Sequence, residues 1–243
     1  MLNFLRKLRR REIKGGQYVK YALGEILLVV IGILIALQLN AWNDQRKERV
    51  KEQIVLRGLV KDFTANDSII SQGLSDHQLH LQECVDFLKY LGPNADELGI
   101  TTMATENPAN YVIIDIVEGG LSALLNSERL EIIRNEELKA LLTAYPSSLA
   151  DYREHEGVSR DLVVNKIRPR AEKYLALVAV DPTLIPITEV HPSNYRDYVR
   201  DRMTQNEVVN RIWIIRNWVI PHLTTLQTHN SNILNLLNQE IKD

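Results

Sequence analysis

Hydrophobic positions divide the chain into an apolar run, a long helical pattern and two irregular breaks. From Tyr21 to Trp42 the residues read YALGEILLVVIGILIALQLNAW, with Glu25, Gln38 and Asn40 as the polar interruptions. Beyond Trp42, apolar residues recur every three or four positions: Leu56, Leu59, Val60 and Phe63, then Ile70, Leu74, Leu81, Val85, Leu88 and Leu91. That spacing predicts one helix face, with a break at Thr64 to Ser68. GPNADELGITTMATENPAN (residues 92–110) and DPTLIPITEVHPSN (residues 181–194) read as loops by their Gly, Pro, Asn and Thr content.

Between the loops, Asn107-Pro108 predicts a helix start, with helical pieces to about Glu118 and from Leu121 to Arg134 across Ser127. Asn135 caps EELKALLTAY, whose first-turn Glu136 and Glu137 suit a helix N-terminus. This helix runs past Pro146 to about Val178. Thr204-x-x-Glu207 predicts a capping box for a last helix, bent at Pro221 and reaching about Lys242. No repeat of fixed period is present and alternating patterns are scarce. The predicted fold class is all-α: an N-terminal transmembrane helix continuing into an elongated antiparallel helical bundle.

The 22 residues from Tyr21 to Trp42 rise about 33 Å as a helix, close to the roughly 30 Å hydrocarbon core of a bilayer. Tyr21 and Trp42 then fall at the two interfaces, where amphipathic rings are favoured. Leu39-Asn40-Ala41 is a poor signal-peptidase site, so the segment reads as a retained signal anchor; a buried core helix is the alternative. On a helix turning about 100° per residue, Glu25, Val29, Gly32, Ala36, Asn40 and Asn43 share a stripe about 80° wide. Small residues allow close backbone approach and polar groups in hydrocarbon seek partners, so the stripe predicts helix association with another copy or another membrane protein.

Charge sets the expected orientation. Residues 1–20 carry Arg6, Lys7, Arg9, Arg10, Arg11, Lys14 and Lys20 against Glu12. Next to an apolar segment, such cations contact anionic lipid headgroups on the cytoplasmic side. Leu2, Leu5, Leu8 and Ile13 among them suggest a short amphipathic helix on the inner leaflet. The flank after the span has Arg46, Lys47, Arg49, Lys51 and Arg57 interleaved with acids, which leaves a modest bias toward a cytoplasmic N-terminus. The domains are therefore 1–20, basic and cytoplasmic; 21–42, the signal-anchor helix; and 43–243, helical and extracytoplasmic, with a cytosolic domain as the alternative. The expected location is a bacterial inner membrane. With 45% hydrophobic and 25% charged residues the chain is in the folded range, and its net charge of -2 gives no reason to expect nucleic acid.

GEILLVVIGILIALQLNAWN followed by DQRKERVKEQ resembles a domain-of-unknown-function family of bacterial single-pass membrane proteins, and LSALLNSERLEIIRNEELKALLTAY is a second point of similarity. The chain departs from that pattern at Glu128 and Pro146. The resemblance implies a membrane anchor with a mostly helical domain and brings no catalytic residues with it.

Candidate chemistry is sparse. His77, His80 and Cys84, at i, i+3 and i+7, have metal-compatible atoms on one side of a helix, yet His77 also lies on the row of Leu74, Leu81 and Leu88, where a hydrogen-bonded core histidine fits as well. Packing is the favoured reading, with no metal and no cofactor. His222 and His229 read as polar surface, Trp213 and Trp218 as core or interface aromatics, and Glu136, Glu137, Glu154 and Glu156 as solvated or helix-terminus charges. No nucleophile elbow, Walker loop or GxGxxG is present. The expected function is non-enzymatic assembly, with a ligand-sensing domain as the alternative and a metal-dependent enzyme as a remote one.

Overall fold

A computed structural model describes residues 15–95, 108–176 and 191–241. Of these, 84% are helical and none lies in a strand, so the all-α class and the long apolar N-terminal helix followed by a bundle are as the sequence implies. Helix α1 spans Gly15–Leu88. The chain divides into two compact units, Met1–Gln53 and Ile54–Asp243.

In the first unit, the apolar side chains from Leu23 to Trp42 are between 45% and 74% exposed. None of this run is buried within the protein, so it is not a core helix of this chain. By length and composition it can cross a membrane.

The second unit is built on three helical rods. The first is α1 from Ile54 onward. The second joins α3 (Glu136–Leu162), a π-helical turn (Val163–Ile167) and α4 (Arg168–Tyr174). The third joins α6 (Arg202–Ile214), a π-helical turn (Ile215–Val219) and α7 (Ile220–Glu240). A short α2 (Gly119–Leu125), a 3-10 turn (Glu128–Ile132) and α5 (Tyr195–Arg200) link them. Buried positions step by three and four along each rod: Leu56, Leu59, Phe63, Asn66 and Ile70 on α1, and Leu138, Leu142, Tyr145, Leu149, Tyr152 and Glu156 on α3. A repeat near 3.5 residues keeps a helix seam facing its neighbours, as in coiled coils.

Cross-rod contacts give the directions. Asn135 meets Glu240, Tyr145 meets Asn230, and Ser148 meets His229, so α3 and α7 are antiparallel. Asn230 of α7 bonds the Phe63 carbonyl and Gln227 bonds Ser71, so α1 and α7 are antiparallel too. Consequently α1 and α3 run parallel, and the chain must travel back along the bundle between them.

Residues 110–118 make that return without forming a helix. Val117 bonds Asn66 while Ile114 packs on Gly73, so three residues of this strap span seven residues of α1. Seven helical residues rise about 10 Å, the length of three residues of fully extended chain. The helix expected before Glu118 is thus replaced by an extended strap. Its β-branched run Val112, Ile113, Ile114, Ile116 and Val117 disfavours helix, and Ile114 and Ile116 point inward while Ile113, Asp115 and Val117 point out.

Other boundaries also differ from expectation. α1 continues through Thr64 to Ser68, because Asn66 faces the strap rather than its own backbone. α6 is capped by Asp201, which accepts from Met203 N at 2.8 Å; Thr204 and Glu207 are buried inside the helix and form no capping box. α4 ends at Tyr174. Asn135 does cap α3, accepting from Leu138 N at 2.9 Å.

The two π-helical turns share a cause. Pro169 and Pro221 each follow a turn in which the preceding residue bonds five back, Arg168 N to Val163 O and Ile220 N to Ile215 O. A proline has no N–H to donate and its ring crowds the carbonyl four residues earlier. One extra residue in the turn moves that carbonyl aside and lets the rod continue.

The glycines supply a stability test. A Cβ at Gly73 would sit 2.7 Å from Ile114 Cγ2, whereas a Cβ at Gly58 meets nothing within 4 Å. Gly58→Ala should raise stability by up to about 1 kcal/mol through helix propensity. Gly73→Ala should lower it, because overpacking costs about 1–3 kcal/mol and outweighs the same gain. Thermal unfolding of the two variants beside the parent chain checks the opposite signs.

Candidate functional site

The sequence-predicted residues fall into three places. Glu25, Val29, Gly32, Ala36, Asn40 and Asn43 all lie on α1 with their side chains exposed, and a Cβ at Gly32 would meet nothing within 4 Å. The stripe is therefore an uncovered surface of the first unit. Arg6, Lys7, Arg9, Arg10, Arg11 and Lys14 lie outside the described residues. His77, His80 and Cys84 lie in the second unit and turn to different partners.

His77 is buried and its Nε2 is 3.1 Å from the Tyr152 hydroxyl. Tyr152 donates its hydrogen to Glu156 Oε1 at 2.8 Å, and the same oxygen accepts from Ile114 N at 3.2 Å. A hydroxyl has one hydrogen, so the network assigns the His77 proton to Nε2, which donates to Tyr152. The chain of donors runs His77 to Tyr152 to Glu156 and meets the strap there. His80 instead pairs with Glu83, Nδ1 to Oε2 at 2.7 Å. Cys84 packs with Phe87, Leu91 and Tyr198 in a satellite core. Burial pushes its thiol above the usual range, which makes it an unreactive packing group. Among the described residues, no three His, Cys, Asp or Glu side chains are arranged to hold a metal.

Four side chains clasp the backbone of the strap and of the residue before it, Ala109. Asn66 from α1 gives and takes a bond at Val117, 2.9 Å to its carbonyl and 2.8 Å from its N–H. Glu156 from α3 takes Ile114 N. Arg168 from α4 donates to Ala109 O at 3.2 Å and stacks over the Tyr111 ring, while Arg211 from α6 donates to Asn110 O. Backbone groups packed away from water must be paired, and here helices supply the partners that a sheet would otherwise provide.

Glu156 and Arg211 escaped the sequence reading. Glu156 is buried, not a solvated helix charge, and Arg211 is 1% exposed. Their signal was register: Glu156 continues the buried row Leu142, Tyr145, Leu149 and Tyr152, and Arg211 continues Thr204 and Val208. A charged residue on such a row is either clasping something or paired. Burial lowers the Arg211 pKa, yet a guanidinium keeps its charge, and its Nε and Nη1 have no hydrogen-bond partner among the described residues.

His229, His222 and His155 are joints between rods, while His191 is exposed. His229 Nε2 donates to Leu141 O at 3.0 Å, which leaves Nδ1 to accept from Ser148 at 3.0 Å, tying α7 to α3. His222 stacks on His155 with ring centroids 4.1 Å apart, and Trp218 lies beside His155. Trp218 packs on the main core; Trp213 is 48% exposed.

Residues 25–90 match the model of a family of unknown function (DUF6090). The matched stretch takes in α1 from Glu25 to its end at Leu88 and two residues beyond. No curated protein and no solved structure matches the chain.

The buried histidine makes stability depend on pH. Burial first, then the neighbouring His80 charge, pushes the His77 pKa from the usual 6.5 to about 4. The unfolded chain therefore binds more protons between those values, so stability is full above about pH 6.5 and falls as pH drops toward 4. The loss should reach about 3 kcal/mol. Denaturant unfolding across that window should show the slope in the parent chain and a flatter profile in His77→Phe.

Proposed function

We propose that this chain is a single-pass membrane protein, anchored by the Tyr21 to Trp42 segment, whose helical second unit acts by binding rather than by catalysis. The observation that carries the reading is the exposed apolar run of α1 from Leu23 to Trp42, which nothing among the described residues covers. Water around that much apolar surface is unfavourable by about 25 cal/mol per Å², and a bilayer removes the penalty. The N-terminal cations favour a cytoplasmic N-terminus, an extracytoplasmic second unit and a retained signal anchor in a bacterial inner membrane.

In this reading the Glu25 to Asn43 face packs on another helix, either a second copy or another subunit of an envelope complex. Support comes from its lack of any cover among the described residues and from the open space at Gly32. Asn66, His77, Glu156 and Asn230, buried in the second unit, have a structural reading as clasps of the strap or joints between rods, and assembly requires no catalytic group.

A ligand-sensing bundle is the second reading, favoured by Arg211, whose two unpartnered donors call for an acceptor. Stabilisation of the full chain by inorganic phosphate or a dicarboxylate, lost in Arg211→Met, would bring it to the front.

The anchor predicts retention in the membrane pellet after alkaline carbonate extraction. The association face predicts that Gly32→Ile with Ala36→Ile lowers complex mass, measured in native membranes by crosslinking and in detergent by light scattering. Unchanged mass in both would remove the association face while leaving the anchor in place.

A further inference from the structure

We infer that Asn43, Arg46, Lys47, Val50 and Lys51, just beyond the apolar run, bind anionic phospholipid headgroups in the leaflet reached by Trp42. The inference rests on the membrane-spanning reading of α1 and adds a lipid site at the end opposite the basic N-terminus.

Three observations carry it. First, these five residues line a shallow concavity on the surface of α1. Second, charge on this part of the helix is sorted by face. Measured from Val50 at about 100° per residue, Asn43, Arg46, Lys47 and Lys51 lie within about 100°, whereas Glu48 and Glu52 lie on the other side and Asp44 borders the cationic face. Arg46 and Lys51 are exposed and make no ion pair among the described residues. Among the described residues Lys47 pairs with the exposed Asp44, a contact in open solvent that headgroup phosphates can displace. The acid Glu52 is turned inward and held by Arg49.

Third, the axial position fits. Trp42 is 63% exposed and closes the apolar run. Arg46 lies about 6 Å further along the axis and Lys51 about 13 Å. The polar layer on each side of the hydrocarbon core is about 5–7 Å thick, and attraction to its charge extends roughly another 8 Å at physiological salt. Long cationic side chains reach back along the helix to headgroup level, so all three cations fall within range. Asn43 ends the association face of the apolar run; beyond it a second copy would bring cations against cations, so helix packing gives way there and anionic lipid is the occupant that the charge favours.

The test uses the full chain reconstituted in phosphatidylcholine bilayers with a minor fraction of lipid brominated on its acyl chains, supplied either as phosphatidylcholine or as phosphatidylglycerol. Bromine quenches tryptophan at close range, and subtracting the signal of Trp42→Phe isolates Trp42 from Trp213 and Trp218. Brominated phosphatidylglycerol should quench Trp42 more than brominated phosphatidylcholine at equal fraction, with the excess shrinking at high salt. Arg46→Gln with Lys47→Gln and Lys51→Gln should lower the apparent preference about tenfold or more, with circular dichroism unchanged. Lipid gathered by the N-terminal cations lies across the bilayer, beyond the reach of Trp42. Equal quenching by the two lipids, or a preference that survives the triple substitution, overturns the headgroup site and leaves the span standing. Absence of quenching by either lipid overturns the span as well.

Discussion

Much of the second unit follows from one constraint: a backbone laid among packed helices must have its N–H and C=O groups paired, and no strand lies beside it among the described residues. The parallel relation of α1 and α3 requires a return path, and the strap is that path. Its needs explain residues that would otherwise look misplaced on apolar rows. Asn66, Glu156 and Arg211 sit where leucines would pack as well, and each is spent on a strap backbone group. Gly73 is bare because Ile114 occupies the place of its side chain.

The same rows keep their register across prolines by a local change of winding. Pro169 and Pro221 would each break a regular helix, and each is preceded by a wider turn that accommodates it. The rods thereby stay continuous and present their seams over their full length. Pro146 lies within α3, where the wider turn does not occur, and His229 of α7 bonds the nearby Leu141 carbonyl.

Periodicity made the helical class, the Asn135 cap and the apolar run legible, because each depends on local spacing alone. The strap was illegible for the opposite reason. Its conformation is decided by partners 51 and 42 residues away, at Asn66 and Glu156, and its helix-start signal at Asn107-Pro108 is overridden by that pairing. Thr64 to Ser68 looked like a break because polar residues mid-helix usually compete with their own backbone. Here Asn66 bonds another segment, so helix and polar residue coexist. His77 could be read as a core histidine from its row, but its partner Tyr152 could not, since nothing in the sequence tells which rods face each other.

The strap also acts as a ruler. Between the contact of Ile114 with Gly73 and the Asn66 clasp at Val117, the chain is already extended, so it has no slack to take up. Adding or removing one residue there would reverse which side chains face inward and move every later clasp out of reach. Evolutionary change in chain length is thus barred from this segment, while substitutions at its outward positions Ile113, Asp115 and Val117 meet no such barrier. The connection that carries no regular secondary structure is, in length, the least negotiable part of the bundle.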